Sequence, residues 1–495
     1  MSSVINQEEK SSYRSIFKAT SLFGGVQVYQ IFINLLSSKV IAVLLGPVGV
    51  GLIGLYKSAI QLIQSLTAMG LSSSAVRDIS EAYGKDDNHR IGLVVTVLRK
   101  LVWYTGIFGL VAVILLSPLL SKFSFGNYDY SIPFILLSLI LLFDQLCVGQ
   151  KVILQGTRKL KALAKATAIG STIGFILSIP LYYWFKINGI VPTLILNSLT
   201  ALSISWYFSR KLNFKKVPVD NKTVITVGKS MLKMGIAMSV SGVMVYLTTY
   251  ILIGFIRYQS SVEMVGLYTA GSTIMASYTG LVFNAMATDY YPRLAAVNKE
   301  NVKCNQIINQ QLEIAVLLLT PLLTICITFM PYIIHLLYSK EFDGINVYMI
   351  LASIGMMFKA VSWGVAFEII AKGNARLYII NETIANLYSL INNLLGFMIG
   401  GLTGLGIAFT VTYLLYAIQV FVVARRQYEF SFDGSFLKLF IAAFAIVSMC
   451  MVIVLGLNSY GTYIGGGIVL ISIFFSIYLL DKRIGIKALI ARRHG

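Results

Sequence analysis

Charge is scarce in this chain. Asp, Glu, Lys and Arg make up 12% of its 495 residues, about half of what a soluble domain needs to wet its surface. A string of globular domains, the ordinary expectation for this length, is therefore excluded. Cysteine is scarce too. The four present (Cys147, Cys304, Cys326 and Cys450) show no paired spacing, and all but Cys304 lie in apolar runs. A disulfide framework or a cysteine-based zinc site is not expected. The three histidines, His89, His335 and His494, are too scattered for a metal cluster. No GxxxxGK[ST] loop occurs, so no ATPase is built in. No acid–base pair stands beside a supporting nucleophile, so neither an enzyme nor a cofactor is expected.

What the chain has in abundance is apolar sequence: 57% hydrophobic residues and a mean hydropathy of +0.78. A helix needs about 20 apolar residues to cross a hydrocarbon core. Fourteen such spans are expected, near 15–36, 48–70, 101–121, 131–153, 163–185, 188–208, 231–256, 265–290, 311–337, 346–370, 377–399, 402–424, 435–456 and 462–480. The first follows a polar leader, is long, and lacks a small-residue cleavage site, so it is not expected to be a cleaved signal peptide.

The net charge of +20 would suggest nucleic-acid binding in a soluble protein. Here the cations sit at the ends of apolar segments. Of 40 Lys and Arg, 33 fall in the N-terminus, the even-numbered loops and the C-terminal tail, and 5 in the odd-numbered loops. Cytoplasmic loops collect cations. Both termini are thus expected in the cytoplasm, with no nucleic-acid partner. The odd-numbered loops are all short, so no external domain is expected.

The chain repeats itself. Phe143 and Gly149 match Phe358 and Gly364; Gly156 and Leu160 match Gly373 and Leu377; Gly189-Ile190 matches Gly406-Ile407; and Gly54-Leu55-Tyr56 matches Gly266-Leu267-Tyr268. The expected fold class is an all-α integral membrane protein of about 14 transmembrane helices, built as two six-helix repeats plus two C-terminal helices. The lobes fall at 1–208 and 231–424, joined by a cytoplasmic linker at 209–230. Residues 425–495 supply the extra helices and a basic tail. An even number of spans per half makes the repeats parallel, an arrangement that places substrate between the halves near the midplane.

With these repeats, the two GLY motifs and the Asp289-Tyr290-Tyr291-Pro292-Arg293 segment, the chain resembles the polysaccharide-exporter family. These are bacterial flippases of lipid-linked oligosaccharides, O-antigen translocases among them, in the superfamily that shares the fold of MATE multidrug exporters. The resemblance implies a V-shaped two-lobe transporter moving an undecaprenyl-diphosphate-linked glycan from the inner to the outer leaflet. It implies membrane lipid, the lipid-linked glycan, and the polysaccharide polymerase and chain-length machinery as partners. Two competing readings are a cation-coupled drug antiporter of the same fold and a membrane-embedded glycan polymerase or ligase. The antiporter would want an acidic, aromatic cavity, and the polymerase an exposed outer site that the short external loops do not offer.

A charge at the bilayer centre costs at least ~2.5–3.5 kcal/mol, so ionisable residues inside spans are functional candidates. Lys57, Asp144 and Lys359 lie midway along spans 2, 4 and 10; Glu368 and Glu382 lie nearer the ends of spans 10 and 11. Lys57, Gln61 and Gln64 share one helical face, as do Gln27, Gln30 and Asn34 on span 1, and Glu382, Asn386, Ser389 and Asn393 on span 11. Such stripes line helix contacts or a wet cavity rich in donors and acceptors, the second of which suits a glycan. The lysines are candidate anchors for a diphosphate, with Asp144 the alternative partner of either. Trp363, one turn beyond Lys359, is placed either to stack on a sugar or simply to pack. Arg14, Lys18 and Arg293 are candidates for a lipid-diphosphate loading station, or else snorkelling cations; Pro292 is expected to break the helix before Arg293. Asp144, Glu368 and Glu382 are the candidates for ion coupling.

Overall fold

The computed structural model describes residues 2–212, 214 and 217–484; the side chains of 2–24 and of several residues within 221–238, 278–289 and 458–484 lie outside that description. The chain begins with α1 (Ser2–Thr67), far longer than one bilayer crossing. It folds back at Gly46, whose φ of 64° ends the regular turn ahead of Pro47. Glycine bears that left-handed conformation without steric cost, and proline disfavours a helical residue before it. One helical stretch thus carries spans 1 and 2. The same device recurs in α11 (Ala375–Tyr428), which bends at Gly400 and Gly401 between spans 11 and 12.

Between them run α2 (Leu71–Gly84), α3 (Asn88–Phe125), α4 (Ser131–Gly156), α5 (Leu160–Phe185), α6 (Ile190–Arg210), α7 (Asn221–Gln259), α8 (Val262–Ala296), α9 (Asn301–Leu337) and α10 (Asn346–Ala371); α12 (Gly434–Gly456) and α13 (Asn458–Ile484) follow. Among the described residues, ten stretches are long and apolar enough to cross a membrane, and three of these are long enough to cross twice. With α8, all fourteen expected spans lie on helices. Large apolar side chains such as Leu115, Ile399, Leu470 and Phe474 remain more than two-thirds exposed. Water would penalise so much apolar surface, whereas a bilayer would cover it.

One element falls between the expected spans 2 and 3: residues 71–84 form α2, whose Leu71, Ser74, Ala75, Ile79 and Ala82 give it one buried face. Its solvent face carries Glu81, hydrogen-bonded by Lys85 at 2.8 Å and held below the usual carboxylate range by that bond and charge. Pro292 does not end its helix: α8 runs through it to Ala296.

By packing, the chain forms two compact units, Met1–Gly266 and Leu267–Gly495. In the first, α7 packs against α1, α2 and α3. Leu71, Ile79, Leu98, Leu101, Val224 and Met231 share one core there. The 209–230 linker and all of α7 therefore lie within this unit.

In the second unit, α9 holds α12 and α13 by a polar ladder along one face. Asn309 donates to Ser431 O and accepts from Asp433 N; Glu313 accepts from Ser435 and pairs with Arg483; and Thr324 and Ser472 bond at 2.8 Å. Glu313 is buried, and removing one partner of a buried pair strands the other charge. Glu313→Ala is expected to destabilise the purified protein by about 3 kcal/mol, read as a lower unfolding midpoint in detergent. An unchanged midpoint would mean that the ladder does not fix the last two helices.

The repeat is visible in packing. Tyr56 at the start of span 2 meets Phe134 at the start of span 4, ring centroids 5.4 Å apart; Tyr268 at the start of span 8 meets Tyr348 at the start of span 10, 6.1 Å apart. Gly149 lets α4 lie on Val102 of α3, and Gly364 lets α10 lie on Leu312 of α9. Matched sequence positions thus do matched packing in each unit.

Candidate functional site

Each unit carries one polar constellation at the depth where the sequence places its buried charges. In the first, Tyr56, Ser58 and Ala59 are buried against neighbouring helices, while Lys57 and Gln61 leave the same helix exposed. Gln64, one turn on, is half-buried and hydrogen-bonds Asp144 of α4. Asp144 also accepts from Ser198 of α6, and the charge of Lys151, two turns along α4, reaches it. The carboxylate thus ties spans 2, 4 and 6 together. Lys57 makes no ion pair among the described residues. On the first arm of α1, Gln27 and Asn34 are exposed, Gln30 is half-buried, and neighbouring Tyr29 reaches Thr172 of α5 at 2.5 Å.

In the second unit, Lys359 projects from α10 with its ammonium 5.0 Å from the ring centre of Tyr413 and 5.9 Å from that of Phe409. Cations are drawn to aromatic faces by the ring quadrupole, so the lysine is steadied without a carboxylate. Tyr388 and Tyr268 lie within electrostatic reach of the same Tyr413. Glu382 accepts from Tyr416. Around Lys359 and Glu382 stand four tyrosines, of which the sequence singled out only Tyr268, and that for its GLY motif. Their signal was the spacing of Tyr413 and Tyr416 on one face of span 12, opposite the amide stripe of span 11.

That stripe divides into two kinds of residue. Asn386 and Asn393 donate to the carbonyls of Glu382 and Ser389, one turn back on their own helix, at 2.8 and 2.7 Å. The bonds that join spans 11 and 12 come from other residues: Gln419 to Asn381 at 2.7 Å, Asn392 to Thr412 at 3.3 Å, and Tyr416 to Glu382. Asn386 and Asn393 keep their oxygens free of these bonds.

Trp363 packs with Phe283, Tyr290 and Phe367 at centroid distances of 4.6–5.9 Å. The hydroxyl of Tyr290 donates to Gly364 O at 2.6 Å and locks the cluster. The tryptophan here does the work of a packing residue. Glu368 is fully buried one turn beyond, with its Oε2 unpartnered among the described residues. Its neighbour Lys372 is held by Asn301 at 2.5 Å and by the ring of Tyr428. Arg293 donates to Gln311 at 3.2 Å. The side chains of Arg14, Lys18 and Asp289 lie outside the described residues.

The two units between them carry two lysines with no carboxylate partner among the described residues, amides with spare acceptors, and tyrosine hydroxyls on aromatic faces. Groups of these kinds can hold an anion or a hydroxyl-rich chain by charge-assisted bonds and stacking.

Comparison with known proteins gives a consistent result. The profile of the family described as "Polysaccharide biosynthesis protein" matches residues 40–346. The lipid III flippase of Escherichia coli (strain K12) is 21% identical over 430 residues, covering 83% of this chain and 100% of the relative; the lipid III flippase of Shigella flexneri matches equally. Among solved structures, the lipid II flippase MurJ in its inward closed conformation has a TM-score of 0.70 at 13% identity, covering 94% of this chain and 99% of that one. An inward-facing MATE family transporter of the MOP superfamily has a TM-score of 0.68 at 15% identity, covering 84% and 99%. The fold is that of this superfamily.

Proposed function

The chain belongs to the polysaccharide biosynthesis protein family, and from that premise we propose that it is a flippase for a lipid-linked glycan. The substrate is an undecaprenyl-diphosphate-linked oligosaccharide, an O-antigen or related surface-polysaccharide repeat unit, carried from inner to outer leaflet by alternating access of the two six-helix repeats. The observation that carries this reading is the pair Lys57 and Lys359. Both cations stand inside membrane helices, and neither has an ion pair among the described residues, while Asp144 is engaged by Gln64 and Ser198. A membrane charge without a counter-charge is costly unless its partner arrives with the substrate. A diphosphate is such a partner. A drug antiporter of the same fold would put carboxylates, not lysines, in these places.

Direction of transport depends on orientation. On the cation count the termini are cytoplasmic, and the likeness to bacterial flippases favours the bacterial inner membrane. Single cysteines at positions 122 and 340 are expected to react with an impermeant maleimide on intact cells, and one at 215 only after lysis. Reaction of position 215 on intact cells would invert the topology and the proposed direction with it. The functional test is translocation of a polyprenyl-diphosphate glycan by the purified protein in proteoliposomes. Flux no faster than in protein-free vesicles would refute the assignment.

A further inference from the structure

The first unit holds a second basic site, away from the constellation of Lys57 and Asp144. A cleft of about 780 Å³ lies where the start of α3 meets the stretch that joins α6 to α7, walled by Arg99, Lys100, Trp103, Tyr104, Pro218 and Val219. The Lys100 ammonium donates to Val219 O at 2.9 Å, which straps the linker to the helix and leaves two further donors free. Arg99 is half-buried and forms no ion pair among the described residues. Trp103 and Tyr104 are about half exposed beside it. Amphipathic aromatics in such positions mark the level of lipid headgroups. From Tyr104 a continuous exposed stripe of Ile107, Phe108, Val111 and Leu115 runs along α3 at helical spacing, away from the cations.

Cation, aromatic and apolar track follow one another in the order phosphate, glycerol and acyl chain. We propose that this cleft is a binding site for an anionic glycerophospholipid, with its phosphate on Arg99 and Lys100 and an acyl chain along Ile107–Leu115. An apolar track excludes a free phosphate as the natural occupant, and an unpaired arginine favours an anionic over a zwitterionic headgroup. Since Lys100 also holds the linker, the bound lipid braces the connection between the two repeats. On the proposed orientation it belongs to the cytoplasmic leaflet.

The test is native mass spectrometry of the full-length protein in detergent, titrated with phosphatidylglycerol or phosphatidylcholine. Wild type is expected to retain phosphatidylglycerol in preference to phosphatidylcholine. Arg99→Gln is expected to bind phosphatidylglycerol about five-fold more weakly, and Trp103→Ala to weaken both lipids. Lys211→Gln, which removes an interfacial cation seated on the rings of Tyr207 and Phe208, is expected to leave the preference intact. Three results would overturn the site: equal phosphatidylglycerol binding by wild type and Arg99→Gln, an equal loss in Lys211→Gln, or displacement of the lipid by millimolar inorganic phosphate. Should Arg99→Gln not be recovered folded, Trp103→Ala decides alone, and unchanged lipid retention by it counts against the site.

Discussion

Lys359→Ala is expected to lower glycan translocation in proteoliposomes by about ten-fold to a hundred-fold, while the protein reaches the membrane at a near-normal level. The magnitude follows from losing one charge-assisted bond to phosphate, about 1.5–3 kcal/mol. The ammonium rests on the faces of Tyr413 and Phe409, so its removal leaves no buried carboxylate stranded nearby and folding is spared. Lys359→Arg keeps the charge and should retain part of the flux. The competing account makes Lys359 one half of a structural pair with Asp144. Under that account Asp144→Ala/Lys359→Ala restores transport, because removing both charges cures an unpaired group but cannot replace a phosphate ligand. Restoration in the double variant would sink the anchor role. The partners found for Asp144, namely Gln64, Ser198 and Lys151, all belong to its own unit, which is why no restoration is expected.

The membrane spans were legible because lipid imposes one demand, about 20 apolar residues in a row, that hydropathy reads directly. The repeat was legible for a related reason. Glycines at helix crossings, such as Gly149 and Gly364, let Val102 and Leu312 come close and stand at matched positions in the two halves. The reversals between spans 1 and 2 and between spans 11 and 12 were legible as gaps in the apolar runs. What could not be read was their means, since Gly46 and Gly401 look like ordinary glycines until their positive φ is seen. Nor could α2 be found by hydropathy, because it buries alanine and serine in place of a long apolar run. In the candidate site the ionisable residues were found by their cost in a bilayer, but not their company. Tyr388, Tyr413 and Tyr416 carry no mark in the sequence that sets them apart from other aromatics in spans, and only the fold brings their rings beside Lys359 and Glu382. The amide stripe was found whole, yet Asn386 and Asn393 spend their donors on their own helix while Asn381 and Asn392, off the stripe, carry the bonds between spans 11 and 12.

Gly266→Ala is expected to be as damaging as any charge change, although it adds a single methyl group. The start of span 2 and the start of span 8 meet backbone to backbone: a Cβ on Gly266 would fall well under 3.0 Å from Pro47 O, and one on Gly51 equally close to Val262 O. Real Cβ atoms do not approach so closely, and the obstacle in each case is main chain, which cannot rotate away as a side chain would. The helices must therefore separate, and the neighbouring contact of Tyr56 with Phe134 moves with them. Overpacking of this kind costs about 1–3 kcal/mol where the surroundings give, and more where they do not. Gly266→Ala and Gly51→Ala should each lower the unfolding midpoint in detergent and cut glycan flux. Gly84→Ala is the matched control: a Cβ there has nothing within 4 Å, so it should leave both measurements unchanged or raise stability slightly through helix propensity. Because the two obstructed glycines face one contact, their double variant should cost less than the sum of the single changes, the first separation having already made room for the second methyl. Strict additivity would mean that Gly51 and Gly266 act at separate places, and wild-type stability in Gly266→Ala would mean that the two helix starts do not touch.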